Sequence, residues 1–70
     1  MIYYRQNRVT KQLFRRVDSV PEEFMPEDRE WKLTGDAIAA FHDSSDTSAI
    51  SEKTAIEVME RQARAAKGSY

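Results

Sequence analysis

The sequence predicts a small α+β domain. Three observations support this: strand-type residues gather in the first 18 positions, Pro21 and Pro26 break the chain soon after, and helical periodicity with capping residues governs 51–67. All 70 residues are expected to form one domain, since domains typically run to about 100–150 residues.

The first element is an antiparallel hairpin, roughly 2–6 and 11–18. Ile2, Tyr3, Tyr4, Leu13 and Phe14 are strand-type, and Val9, Thr10 and Val17 are β-branched. Asn7 tolerates the positive φ that tight turns use. A helical reading competes, because Val9, Leu13, Val17 and Val20 form one stripe at helical spacing. Residues 19–29 read as a loop, because the two prolines oppose both a continuous helix and a central strand. Glu30–Leu33 reads as a short third strand, giving a hairpin or a three-stranded meander, with Trp31 and Leu33 on its inner face.

A short helix is expected at 35–42, with Thr34 as N-cap and Asp36 in the first turn, where negative charge is favoured. Leu33 and Ile38 take the positions of a hydrophobic staple, and Ile38 and Phe41 share a face. Residues 43–48 read as a polar loop. The longer helix spans 51–67. Ser51 is its N-cap, and Ala55, Ile56, Met59, Ala63 and Ala66 recur at helical spacing. Glu57 and Arg61, like Glu60 and Arg64, stand four apart in the favourable order, and Gly68 supplies a left-handed stop. Residues 66–70 are expected to fray.

The core must be small. The 28 hydrophobic residues include eight alanines, and a chain below about 70–80 residues rarely draws more than about 3–5 kcal/mol from one core. With no cysteine for a disulfide, self-association or a protein partner is the expected supplement. The longest apolar run, residues 37–41, falls far short of the ~20 residues of a membrane span. No apolar stretch follows a basic start, as a secretory signal would require, so cytoplasmic residence and no membrane partner are expected.

The net charge of −1 conceals strong segregation. Residues 1–17 carry five cations and no acid (+5), residues 18–60 all twelve acids against three cations (−9), and residues 61–70 three cations (+3). Three readings follow. In the first, the basic hairpin packs beside the acidic loop and the charges screen one another. Alternatively, Arg5, Arg8, Lys11, Arg15 and Arg16, interleaved with Tyr3, Tyr4 and Phe14, form a face for nucleic acid, with cations on phosphate and rings stacked on bases. In the third, these residues or the acidic Glu22 and Glu23 meet a protein partner. Tyr3 and Tyr4 are adjacent, so in a strand they point to opposite faces and one is left exposed for contact.

Catalytic chemistry finds little material. His42 is the single histidine and no cysteine is present, so neither a multi-histidine metal site nor a thiolate site can form. His42, Asp43, Ser44 and Ser45 are near-consecutive, whereas a nucleophile, its base and an oxyanion hole must converge from a rigid scaffold. Two glycines make no phosphate-cradling loop. No catalytic residue, metal or cofactor is therefore expected. The sequence reads as a non-enzymatic binding or regulatory protein acting through protein–protein contacts, with nucleic-acid binding as the alternative.

Overall fold

The structure is a computed structural model that describes residues 1–43 and 45–67. It is α+β: a five-stranded antiparallel sheet with a short helix and a longer C-terminal helix. In chain order the elements are β1 (Ile2–Asn7), β2 (Leu13–Val17), β3 (Val20–Met25), β4 (Glu30–Lys32), α1 (Gly35–His42), β5 (Thr47–Ile50) and α2 (Glu52–Lys67). The sheet order is β4-β3-β2-β1-β5. The first four strands form a meander. The chain then passes through α1 to the opposite edge, adds β5 beside β1, and continues into α2.

Local chemistry explains the turns. The Asn7 N–H donates to the Gln12 carbonyl at 2.9 Å, and the Asn7 side-chain oxygen accepts from the N–H groups of Val9 (2.8 Å) and Thr10 (2.9 Å). This ties off the β1–β2 loop, in which Lys11 is left-handed with φ 68°. Asp18 and Ser19 are both left-handed (φ 48° and 75°) and join paired Val17 and Val20, the geometry of a type I′ two-residue hairpin.

Two strands depart from the sequence reading. Residues 20–25 form β3 rather than a loop, and 47–50 form β5. Pro21 is accommodated by register. In a two-residue hairpin the closing pair, Val17–Val20, is hydrogen-bonded, so the next pair, Arg16–Pro21, is not. The missing N–H of Pro21 would point away from β2, past the end of β4, whose pairing stops at Glu23–Lys32. The third strand expected at 30–33 is present as β4, but it pairs with β3, and Leu33 lies beyond it and is exposed.

Strand alternation gives two layers. Leu13 and Phe14 are consecutive, so they point to opposite faces, and both are buried (0% and 1% exposed). On one face Leu13 and Phe24 meet Ala55 and Val58 of α2, with Tyr4, Trp31, Ile50 and Met59 packed around them. On the other, Phe14 meets Ala37, Ala40 and Phe41 of α1. The α2 stripe therefore runs through Val58, whereas Ile56, assigned to it from spacing, is exposed. Ile38 is exposed too, and α1 turns Ala37 and Ala40 inward instead.

Both expected caps form. Thr34 Oγ1 accepts from the Ala37 N–H at 3.0 Å, and Ser51 Oγ from the Thr54 N–H at 3.1 Å. Glu60, expected to pair with Arg64, instead lies 3.6 Å from Arg29. Positions 66 and 67, expected to fray, are helical, while 68–70, including the Gly68 stop, lie outside the described residues. Among the described residues no helix is long and apolar enough to cross a membrane.

Candidate functional site

The five hairpin cations do not share a face. Arg15 and Arg16 are neighbours in β2 and project to opposite sides of the sheet. On the α2 side, Arg15 Nε donates to Glu22 Oε1 at 2.8 Å across the β2–β3 pair, and its guanidinium carbon lies 4.3 Å from the Trp31 ring centroid. Trp31 in turn packs on Phe24, with centroids 5.2 Å apart, and near Tyr4, at 6.3 Å. Arg15 and Glu22 thus realise the charge-screening reading: the basic hairpin strand lies beside the acidic one.

Arg5 and Arg8 are engaged by β5. Arg5 Nε donates to the buried Thr47 Oγ1 at 2.7 Å, and its Nη2 to the Thr47 carbonyl at 3.0 Å. Arg8 donates to the Thr47 carbonyl (3.4 Å), to Ser48 Oγ (3.2 Å) and to the Ser45 carbonyl. These two guanidiniums cover the Thr47 carbonyl, a backbone acceptor on an edge strand, which blunts its tendency to pair with another chain. Lys11 lies in the β1–β2 loop, where its carbonyl accepts from Gln62 Nε2 at 2.6 Å and so ties the loop to α2.

Glu23 also has a scaffolding role. It accepts from Thr34 Oγ1 at 2.9 Å and from Gln12 Nε2 at 3.1 Å, and the same Gln12 amide reaches Asp36 at 3.0 Å. This network fastens the start of α1 to β3. Of the sequence candidates, Glu22 and Glu23 are therefore half-buried and internally bonded rather than presented outward.

Arg16 differs from the other hairpin arginines: among the described residues its guanidinium makes neither a hydrogen bond nor an ion pair. Its guanidinium carbon lies 4.9 Å from the Tyr3 ring centroid and 5.5 Å from that of Phe41. Because α1 packs mainly on β3 and β2, the β1–β5 half of that face stays open. A groove of about 630 Å³ results, with Tyr3, Arg5, Arg16, Phe41, Ala49 and Glu52 among its lining residues. Tyr3 is 48% exposed, while Tyr4, pointing the other way, packs against the α2-side core. Of the sequence candidates, Tyr3, Tyr4, Arg5 and Arg16 line this groove. Phe41 was not among them, because only the path of α1 over the sheet brings it there.

A second groove, about 500 Å³, lies between Phe24, Met25 and Pro26 and the Ala65–Ala66 end of α2. His42 is exposed at the last residue of α1, and among the described residues no group of three metal-ligating side chains comes together. Comparison with protein-family models, curated proteins and solved structures returns no match.

Proposed function

We propose that this chain is a small non-enzymatic binding protein acting through protein–protein contacts, with the open half of the α1-side face as its contact surface. The observation that carries the reading is Arg16: a guanidinium between two aromatic rings, in a groove, with no internal carboxylate among the described residues. Tyr and Arg are over-represented among the few residues that dominate binding energy at protein interfaces. The neighbouring arginines lack this freedom, since Arg15 is paired with Glu22 and Arg5 and Arg8 hold β5.

The same division speaks against the nucleic-acid alternative. A phosphate track needs several cations in line. Here the five are split between two faces and a loop, and Glu52 lines the same groove as Arg16. Cytoplasmic residence belongs to this proposal, and a fluorescent fusion imaged in the native host tests it.

The reading is tested by placing a photo-crosslinking amino acid at position 3 or, as a control, at position 56 on the outer side of α2. Irradiation in the native host is expected to yield a discrete protein adduct from position 3 alone, lost in Arg16→Glu. A crosslinked dimer would identify the partner as a second copy. Adducts to nucleic acid, or equal adducts from both positions, would overturn the proposal.

A further inference from the structure

We infer that the groove takes an extended, acidic segment of a protein partner, which continues the sheet beside β1 where β5 leaves off. This inference rests on the protein-binding reading above and specifies its ligand.

The first observation is a difference in register. β1 pairs with β2 as far as Ile2–Val17, but with β5 only as far as Tyr4–Ile50. Beyond Ile50 the chain turns into α2, so the first two residues of β1, Ile2 and Tyr3, have no strand on that side. The second is the direction of the backbone groups. The Arg8 N–H donates to the Asp46 carbonyl at 3.0 Å, so the even-numbered residues of β1 aim their N–H and C=O groups toward β5. By that alternation, Tyr4 meets Ile50, while the groups of Ile2 point into the notch. An added strand gains main-chain bonds there, the usual source of affinity when a peptide extends a sheet edge.

The third observation selects the side chains. On the α1 side the added segment would lie beside Tyr3, over whose ring the Arg16 guanidinium rests. A carboxylate there completes a charge-assisted pair, and the adjoining Phe41 ring excludes water from it. On the α2 side the neighbours are Ile2, which is 45% exposed, and the half-buried Ile50, so alternate residues of the segment should be aliphatic. The ligand is thus an alternating acidic–aliphatic strand. Glu52, which lines the same groove, disfavours a continuous polyanion. Along β5 the outward Thr47 carbonyl is already taken by Arg5 and Arg8.

The test titrates isotope-labelled protein with a blocked Val-Glu-Val-Glu-Val peptide. Its Lys-for-Glu counterpart, a proline-interrupted version and a thymidine oligonucleotide serve as comparisons. The acidic peptide is expected to shift resonances of Ile2, Tyr3, Arg16 and Ala49 and to slow hydrogen exchange at the Ile2 amide. Arg16→Ala should weaken binding roughly tenfold or more, the effect of losing a charge-assisted hydrogen bond, while Arg61→Ala on α2 leaves it unchanged. No binding, equal binding of the lysine or proline peptide, tighter binding of the oligonucleotide, or indifference to Arg16→Ala would each overturn the inference. If the position-3 adduct forms while the acidic peptide fails to bind, the edge inference falls and the protein-binding reading stands.

Discussion

Arg15 and Arg16 are adjacent arginines in one strand, and the structure gives them opposite consequences when removed. Arg15→Ala deletes an ion pair at 2.8 Å whose side chains are only 26% and 23% exposed, together with a guanidinium 4.3 Å from the Trp31 centroid. An ion pair on a protein surface contributes about 0.2–1 kcal/mol, and a partly desolvated cation–π contact about 0.5–2 kcal/mol. With Glu22 left unpaired and half-buried, the loss should reach about 1.5–2.5 kcal/mol. Arg16→Ala removes two longer ring contacts and strands no carboxylate, so about 0.5–1 kcal/mol is expected. In a domain of this size each kcal/mol moves Tm by about 4–8 °C. Arg15→Ala should therefore melt roughly 6–20 °C below the parent, and Arg16→Ala within roughly 8 °C of it. Thermal melts followed by circular dichroism, repeated in urea, measure both. A double-mutant cycle of Arg15→Ala with Glu22→Gln should return a coupling of about 0.5–1 kcal/mol. Equal losses, or a larger loss at Arg16, would refute the division into a structural and a presented arginine.

Further expectations concern the scaffold. Replacing Asp18-Ser19 by Asn-Gly should raise stability by about 0.5–1 kcal/mol in urea titrations, because both positions are left-handed and this pair suits the type I′ turn. Gly35→Ala should stabilise by about 0.4–1 kcal/mol, since its added Cβ meets nothing within 4 Å and the helix start is compatible with alanine. Leu13→Ala and Phe14→Ala should each cost about 2–5 kcal/mol and leave the chain largely unfolded by far-ultraviolet circular dichroism, because each empties a different layer.

The parts of the fold legible in the sequence are those decided locally. Asn7 announces its turn because its own side chain closes the loop, and Thr34 and Ser51 announce their helices because each cap lies within three residues of the donor it serves. β3 was hidden because Pro21 reads as a strand breaker. Only the register shows that its missing donor faces no partner, and Asp18-Ser19 makes a tight turn without the glycine that usually marks one. β5 was hidden because four residues in a polar stretch acquire strand character from a partner far away in sequence, as the bond from Arg5 to Thr47, 42 positions on, illustrates. Val58 displaced Ile56 from the buried stripe because the angle at which α2 crosses the sheet, not spacing alone, decides which side of it is covered. At the site, the opposite orientation of Arg15 and Arg16 follows from strand alternation and was legible. The approach of Phe41 and the early end of β5 depend on the path of α1 and the start of α2, which no short-range pattern encodes.

The thin core and the proposed binding role bear on each other. Leu13 and Phe14 are the largest fully buried side chains, one in each layer, and most of the remaining core is alanine. A core of that kind supplies about 3–5 kcal/mol. A partner present at about one hundred times its Kd adds roughly 2.7 kcal/mol, comparable with the stability of the free chain. Occupancy of the groove should therefore produce an unusually large rise in Tm, on the order of 10–20 °C. The same division explains why the open side is tolerated: Arg5, Arg8 and Arg15 hold strands together, and Arg16, whose removal threatens the fold less than that of Arg15, is the hairpin arginine with no hydrogen bond or ion pair among the described residues. If a bound partner raises Tm in the parent but not in Arg16→Ala, the groove is coupled to the whole fold. If the rise survives that substitution, the partner is gripping another surface.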